Sequence, residues 1–168
     1  MPDPLTSVAD PLPSADLRDA IPRLRRYASA LTRDAHRAED LVQDTLARAW
    51  EKRRLWRAGS DLRAWLFTIM HNLHVNQFAR RRYEYACESL DNAENAAEIA
   101  VGGTQFERVA LSEAMARLAL LPVEQREVLV LAAVEEMSYD EIARVLDIPV
   151  GTVMSRLHRA RHKLREGK

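Results

Sequence analysis

Ala38, Leu41, Val42, Leu46 and Ala49, with Thr45 among them, recur at intervals of three and four residues. That spacing puts them on one stripe of an α-helix, because about 3.6 residues complete a turn. The same beat runs through most of the chain, and no stretch alternates polar and apolar residues with the period of two that a half-buried strand needs. The sequence therefore predicts an all-α fold. Helices are expected over residues 17–31, 35–54 and 62–83, and again from 105 onward. Gly59 and Ser60 break the second from the third. Pro122 ends one helix at Leu121 and suits the first turn of the next, 123–134. Ser138, with Glu141 three residues on, has the spacing of a capping box and starts a short helix over 139–146. Asp147 and Ile148 then form a turn, and Pro149 opens the last helix.

Between the two helical sets, EYACESLDNAENAAEIAVGGT (84–104) is acidic, rich in small residues and closed by Gly102-Gly103, the composition of a flexible linker. Residues 1–14 hold four prolines and no helical period, so a flexible tail is expected there. The predicted organisation is a tail (1–14), a helical domain (15–83), a linker (84–104) and a second helical domain carrying a helix-turn-helix (105–168). A length of 168 residues suits two small domains, and 47% hydrophobic with 30% charged residues sets disordered and fibrous classes aside. No apolar run approaches the ~20 residues that cross a bilayer, and the N-terminus lacks a charged-then-apolar leader, so neither membrane insertion nor secretion is expected. Cys87 is the one cysteine. It can form no internal disulfide, which fits a reducing, cytoplasmic setting.

The formal net charge is zero, yet the charge is unevenly placed. Residues 151–168 carry six cations against Glu166, a net +5, while residues 84–113 carry seven acids against Arg108, a net −6. A polyanion responds to charge within a Debye length of ~10 Å, so neutrality of the whole does not argue against nucleic acid. On a helical wheel, Val153, Leu157, Ala160 and Leu164 of the last helix fall on one stripe. Ser155, His158, Arg159 and His162 lie opposite, flanked by Arg156 and Arg161. A capped short helix, a tight turn and a basic amphipathic helix make the helix-turn-helix plan, whose second helix enters the major groove. Arg pairs bidentately with guanine there, and Ser or His donates to base or phosphate. Cations near a helix C-terminus also complement its dipole, so charge by itself leaves a second reading open.

The run LPVEQREVLVLAAVEEMSYDEIARVLDIPVGTVMSRLHRARHKLR closely resembles region 4 of bacterial sigma factors of the sigma-70 family. The nearest group is the small extracytoplasmic-function (ECF) type, which keeps regions 2 and 4. The resemblance implies that Met154, Ser155, Arg156, His158, Arg159 and Arg161 face the −35 promoter element, with Arg156 and Arg161 holding phosphate. Met154 stands where many relatives carry a cation, and His158 where aromatic or basic side chains are common.

AEDLVQDTLARAWE resembles region 2.2, which docks on the clamp of the RNA polymerase β′ subunit; region 4 of the family meets the β flap. This implies docking through Asp40, Leu41, Gln43 and Asp44. From the residues themselves, the face opposite the apolar stripe is acidic and short-chained, which suits a basic protein partner but also an ordinary solvated surface. DLRAWLFTIMHNLHVNQFARRR resembles regions 2.3 and 2.4, which melt and read the −10 element. The implied residues are Trp56, Ser60 and Asp61 in the base-capturing loop, Thr68, Asn72 and Asn76 on the following helix, and Arg80, Arg81 and Arg82 on phosphate. Amide side chains can read an unstacked base and aromatic rings can stack on it. Many relatives carry Arg-Asn and then Asp where this chain has His71-Asn72 and then Asn76. Trp65 is expected in the core.

The implied function is promoter-specific initiation with core RNA polymerase and promoter DNA as partners, the family commonly adding an anti-sigma factor. Two other readings remain: a sigma mimic that sequesters an anti-sigma factor without touching DNA, and a simple helix-turn-helix repressor. His71 with His74, and His158 with His162, are spaced as metal ligands can be. There is no H-E-x-x-H pattern, no third ligand nearby, no glycine-rich phosphate loop and no base placed for Cys87. Neither catalysis, metal nor cofactor is expected.

Overall fold

The computed structural model describes residues 12–57, 59–87 and 116–166, with side chains throughout except at 14, 15 and 80–87. Residues 1–11 of the expected tail and 88–104 of the expected linker lie outside the described residues. The last part of the expected tail is ordered: Leu12 is buried in the core, and the first helix begins at Ser14, three residues before its expected start.

Helix α1 (Ser14–Thr32) ends at Arg33, whose left-handed backbone (φ 57°) lets its N–H reach back to the Ser29 carbonyl. The Asp34 carboxylate then accepts the Arg37 N–H at 3.0 Å and opens α2 (Ala35–Glu51). The apolar stripe is buried as its spacing demands: Ala38, Leu41, Val42, Thr45 and Ala49. Helix α2 stops three residues before the expected end, and a 3-10 turn (Arg53–Leu55) leads into the loop before α3. Asp61 caps α3 (Leu62–Cys87) by accepting the Ala64 N–H. That helix runs four residues past its expected end and into the segment expected to be linker, since no Gly or Pro interrupts it.

Residues 116–119 are helical and lead through Leu121 and Pro122 into α4 (Val123–Ala133). Helix α5 (Tyr139–Leu146) starts with the capping box its sequence announces. The Glu141 N–H donates to Ser138 Oγ, and the Ser138 N–H donates to Glu141 Oε2 at 2.7 Å. Asp147 takes a left-handed conformation (φ 52°), tolerable for a short polar side chain, and turns the chain into α6 (Val150–Glu166).

Tyr27 meets Phe67 edge to face, with centroids 5.0 Å apart, in the middle of the α1–α2–α3 bundle. Val128, Leu131, Ile142, Val153 and Leu157 fill the α4–α5–α6 bundle. These are not separate cores. Helix α1 packs on α4 and α3 on α5, and one buried cluster extends from Leu12 to Leu157. The two helical sets predicted from the sequence are docked on one another.

The seam between them holds the buried charges of α4 and its following turn. Glu127 Oε1 accepts the Tyr27 hydroxyl at 2.5 Å and stands 2.6 Å from His71 Nδ1. Arg126 donates to the carbonyls of Ala30 at 2.8 Å and Leu121 at 3.2 Å. Glu135, whose side chain is fully buried, pairs with Arg26 at 3.2 Å and Arg23 at 3.5 Å. Arg63 donates to the Glu135 carbonyl at 2.8 Å. Burial holds Tyr27 well above the ordinary phenol range, with the Glu127 charge adding to the effect, so its hydroxyl keeps its proton and donates. Burial, with Arg33 nearby, pulls Arg126 below the ordinary guanidinium value.

Candidate nucleic-acid interface and docking face

On α6, Val153, Leu157 and Ala160 are buried against the bundle. Met154, Ser155, His158, Arg159 and Arg161 are exposed, and Arg156 is half-buried at their edge. The predicted division of the helix into a packed stripe and a presented face is its observed geometry from Val153 to Ala160, while Leu164, expected on the same stripe, is half-buried. Arg156 and Arg159 sit mid-helix, beyond the reach of either dipole end, whereas Lys163 and Arg165 occupy the last turn where cations complement it. Dipole complementarity applies to the second pair and not to the first. Arg159 Nε lies along the helix on the Ser155 carbonyl at 3.2 Å, and the Ser155 hydroxyl on that of Thr152 at 3.0 Å. Both donors face solvent and can exchange these local bonds for a groove. The His158 and His162 rings stack at 6.4 Å, and His162 Nδ1 is 3.1 Å from Glu166. Among the described residues no three His, Cys, Asp or Glu side chains cluster as a metal site.

On α2, Asp40, Gln43 and Asp44 are exposed and form an acidic face, with Asp44 accepting from Gln77 of α3 at 3.0 Å. Glu39 beside them is gripped by Arg25 through two bonds of 3.0 Å; the bond first and its charge second hold the Glu39 carboxyl below its usual range. Leu41 departs from the docking set implied for it: at 1% exposure it belongs to the core, because it lies on the apolar stripe. Two exposed apolar residues that sequence reasoning missed extend this end of the bundle. They are Trp50, with the Arg53 guanidinium stacked 4.5 Å over its ring, and Leu55. The period of α2 could have indicated Trp50, since it lies off the buried stripe.

The −10 residues divide similarly. Ser60 and Asp61 are exposed in the loop, Ser60 bonding the Arg57 carbonyl and Asp61 serving also as the α3 cap. Asn72 and Asn76 are exposed one turn apart on α3, while Thr68 is half-buried with its hydroxyl on the Ala64 carbonyl at 2.9 Å. Trp56 differs from the expectation. It is 9% exposed and part of the core, with its indole N–H buried and unpartnered, so its ring is not presented for stacking. Trp65 is half-buried against the core. Arg80, Arg81 and Arg82 fall on the last turns of α3, where only the backbone is described.

A basic helix-turn-helix joined to a helical bundle is the plan of a DNA-binding protein, and here the bundle also exposes an acidic face on α2. Residues 17–71 match the family model described as the Sigma2 domain of PhyR, and residues 111–164 the model described as Sigma-70, region 4. The chain is 40% identical over 149 residues to the ECF RNA polymerase sigma factor EcfG of Rhodopseudomonas palustris, covering 89% of this chain and 81% of that protein. It is 36% identical over 146 residues to the ECF sigma factor SigL of Mycobacterium tuberculosis, covering 84% and 80%. Among solved structures it resembles the sigma factor RpoE of Bartonella quintana in complex with the anti-sigma factor NepR, at a TM-score of 0.80 and 35% identity, over 90% of this chain and 93% of that one. The chain belongs to the ECF RNA polymerase sigma factors. No described helix is long and apolar enough to cross a membrane.

Proposed function

We propose that this sigma factor directs promoter-specific initiation by core RNA polymerase through three surfaces on one chain. Helix α6 reads the −35 element with Ser155, His158 and Arg159, while Arg156 and Arg161 hold phosphate and Met154 replaces a polar contact with an apolar one. Ser60 and Asp61 of the loop, with Thr68, Asn72 and Asn76 of α3, engage the unstacked −10 strand, and Arg80, Arg81 and Arg82 track its backbone. Asp40, Gln43 and Asp44 of α2 dock on the polymerase clamp. The observation that carries this reading is the separation on α6: donors exposed on one face, apolar anchors buried on the other. Phosphate contacts supply affinity and base contacts supply sequence, so both kinds of residue are required.

An anti-sigma factor is the further partner this reading implies, in the manner of RpoE with NepR and of CnrH with the cytosolic domain of CnrY. The work of this chain is recognition rather than catalysis. The deciding experiment is transcription in vitro with core polymerase and a promoter library. A defined −35/−10 pair enriched among the transcripts is the expected result. Binding of an anti-sigma factor with no transcript from any template would support the mimic instead.

A further inference from the structure

A cavity of about 190 Å³ lies where side chains of α1, α2, α3 and α4 come together. None of the residues assigned above to promoter or polymerase lines it. Leu31 of α1, Phe78 of α3 and Val123 of α4 give it an apolar wall, on which the half-exposed Phe78 ring lies tilted against His74 at 6.5 Å. Arg37 of α2 and Arg126 of α4 bring two cations to the same space, and among the described residues no carboxylate lines it. Charge of one sign beside an apolar wall is the composition of a small-molecule site, in which a few polar groups orient a mostly apolar ligand.

Arg126 is the unusual member. It is 5% exposed, and a buried cation is costly without a counter-ion. A guanidinium offers five N–H donors. Here two go to neutral carbonyls, those of Ala30 and Leu121, and the buried Nε has no partner. Glu124 attracts the charge without a hydrogen bond, while Arg33 repels it. Val123 is the first residue of α4, and Pro122 ahead of it supplies no side-chain cap. The positive end of the helix dipole therefore adds to the guanidinium charges, offset in part by Glu124 in the first turn.

We propose that this cavity binds a compact organic monoanion, a carboxylate carried on a single aromatic ring or a branched alkyl group of similar size. The carboxylate pairs with Arg37 and Arg126, and the ring covers Leu31, Phe78 and Val123. Gln77 lines the same cavity; its amide donates to Asp44 at 3.0 Å and has a second N–H for the ligand. Size limits the choice. A cavity of ~150 Å³ takes up benzene, so this one has room for one ring with its carboxylate and none for a nucleotide. Charge and surface narrow it further. Inorganic phosphate would meet the cations and leave the apolar wall wet, whereas a neutral arene would cover the wall and leave Arg126 without a counter-ion. The site stands independently of the sigma reading, since the two share no residue.

Titration calorimetry of benzoate into the full chain tests the site, with benzyl alcohol and inorganic phosphate as comparison probes. Benzoate should bind saturably with one molecule per chain, and each comparison probe about tenfold or more weakly. Arg37→Met and Phe78→Ala change half-exposed side chains, so the fold should survive, as far-UV circular dichroism would show. Each should weaken benzoate about tenfold, the first by removing a cation and the second by removing the ring wall. Arg126→Met should abolish binding; if that variant does not fold, the other two decide. Three results would overturn the proposal: no saturable binding of benzoate at millimolar concentration, so that the cavity holds only water; benzyl alcohol binding as tightly as benzoate; or unchanged benzoate affinity in either folded variant.

Discussion

Arg159 and Trp56 show how far a single residue's role can be read from its neighbours in sequence. Arg159 follows from the period of α6, which puts it opposite Val153 and Leu157 whatever else the chain does. Arg159→Ala is expected to weaken binding to the cognate −35 sequence by ~1–3 kcal/mol with little effect on unrelated duplexes, as measured by competition binding. An equal loss on every sequence would assign Arg159 to phosphate. Trp56 sits in a loop with no period, so its neighbours in sequence do not say where the ring points. The tertiary structure buries it with an unpartnered indole N–H. Trp56→Ala should cost about 3–5 kcal/mol of stability, as other large core truncations do. Trp56→Phe, which removes the orphaned donor and keeps much of the ring, should cost far less. Chemical denaturation of the two variants checks both. Leu41 has the same moral: position on the apolar stripe outweighs membership of a motif.

The elements were legible wherever local chemistry fixes the backbone. The Ser138–Glu141 box begins α5 at the expected residue, and Pro122 and Pro149 each stand immediately before a helix. Ser138→Ala should destabilise the helix-turn-helix by about 1 kcal/mol, measured by thermal melting. Bonds from the Ser138 side chain first, and its N–H second, hold the Glu141 carboxyl below its usual range. Because the folded value is the lower one, this stabilisation is present above the unfolded carboxylate value of about 4.3 and is lost as pH falls through the folded one. Melting temperature should therefore become less sensitive to acid over that window in Glu141→Gln, which retains a cap acceptor without the charge. Helix ends without a local signal were less legible: the halt of α2 at Glu51 and the run of α3 to Cys87 carry no Gly or Pro to mark them.

At the scale of the whole molecule, two helical sets share one buried cluster, and that decides how the chain unfolds. A common core couples their stabilities, so calorimetry on the wild type should show one transition with equal calorimetric and van't Hoff enthalpies. The Arg23→Ala, Arg26→Ala variant, with its seam loosened, should resolve two. None of this docking is written in the sequence as a pattern. Arg126, Glu127 and Glu135 flank the apolar run 128–134 beside Glu124, Gln125 and Glu136, so the sequence does not mark which of them is buried. Tyr27 is 100 positions from Glu127, and Arg26 is 109 from Glu135. Hydrophobic period, capping chemistry and proline placement act within a few residues and determined the helices and their faces, while the residue strings themselves carry the resemblance to sigma regions 2 and 4. Only the tertiary structure could decide which faces meet, bury Trp56 and bring the carboxylates of one half under the cations of the other. Burial is a property of the packed whole, set by long-range contacts that no local spacing encodes.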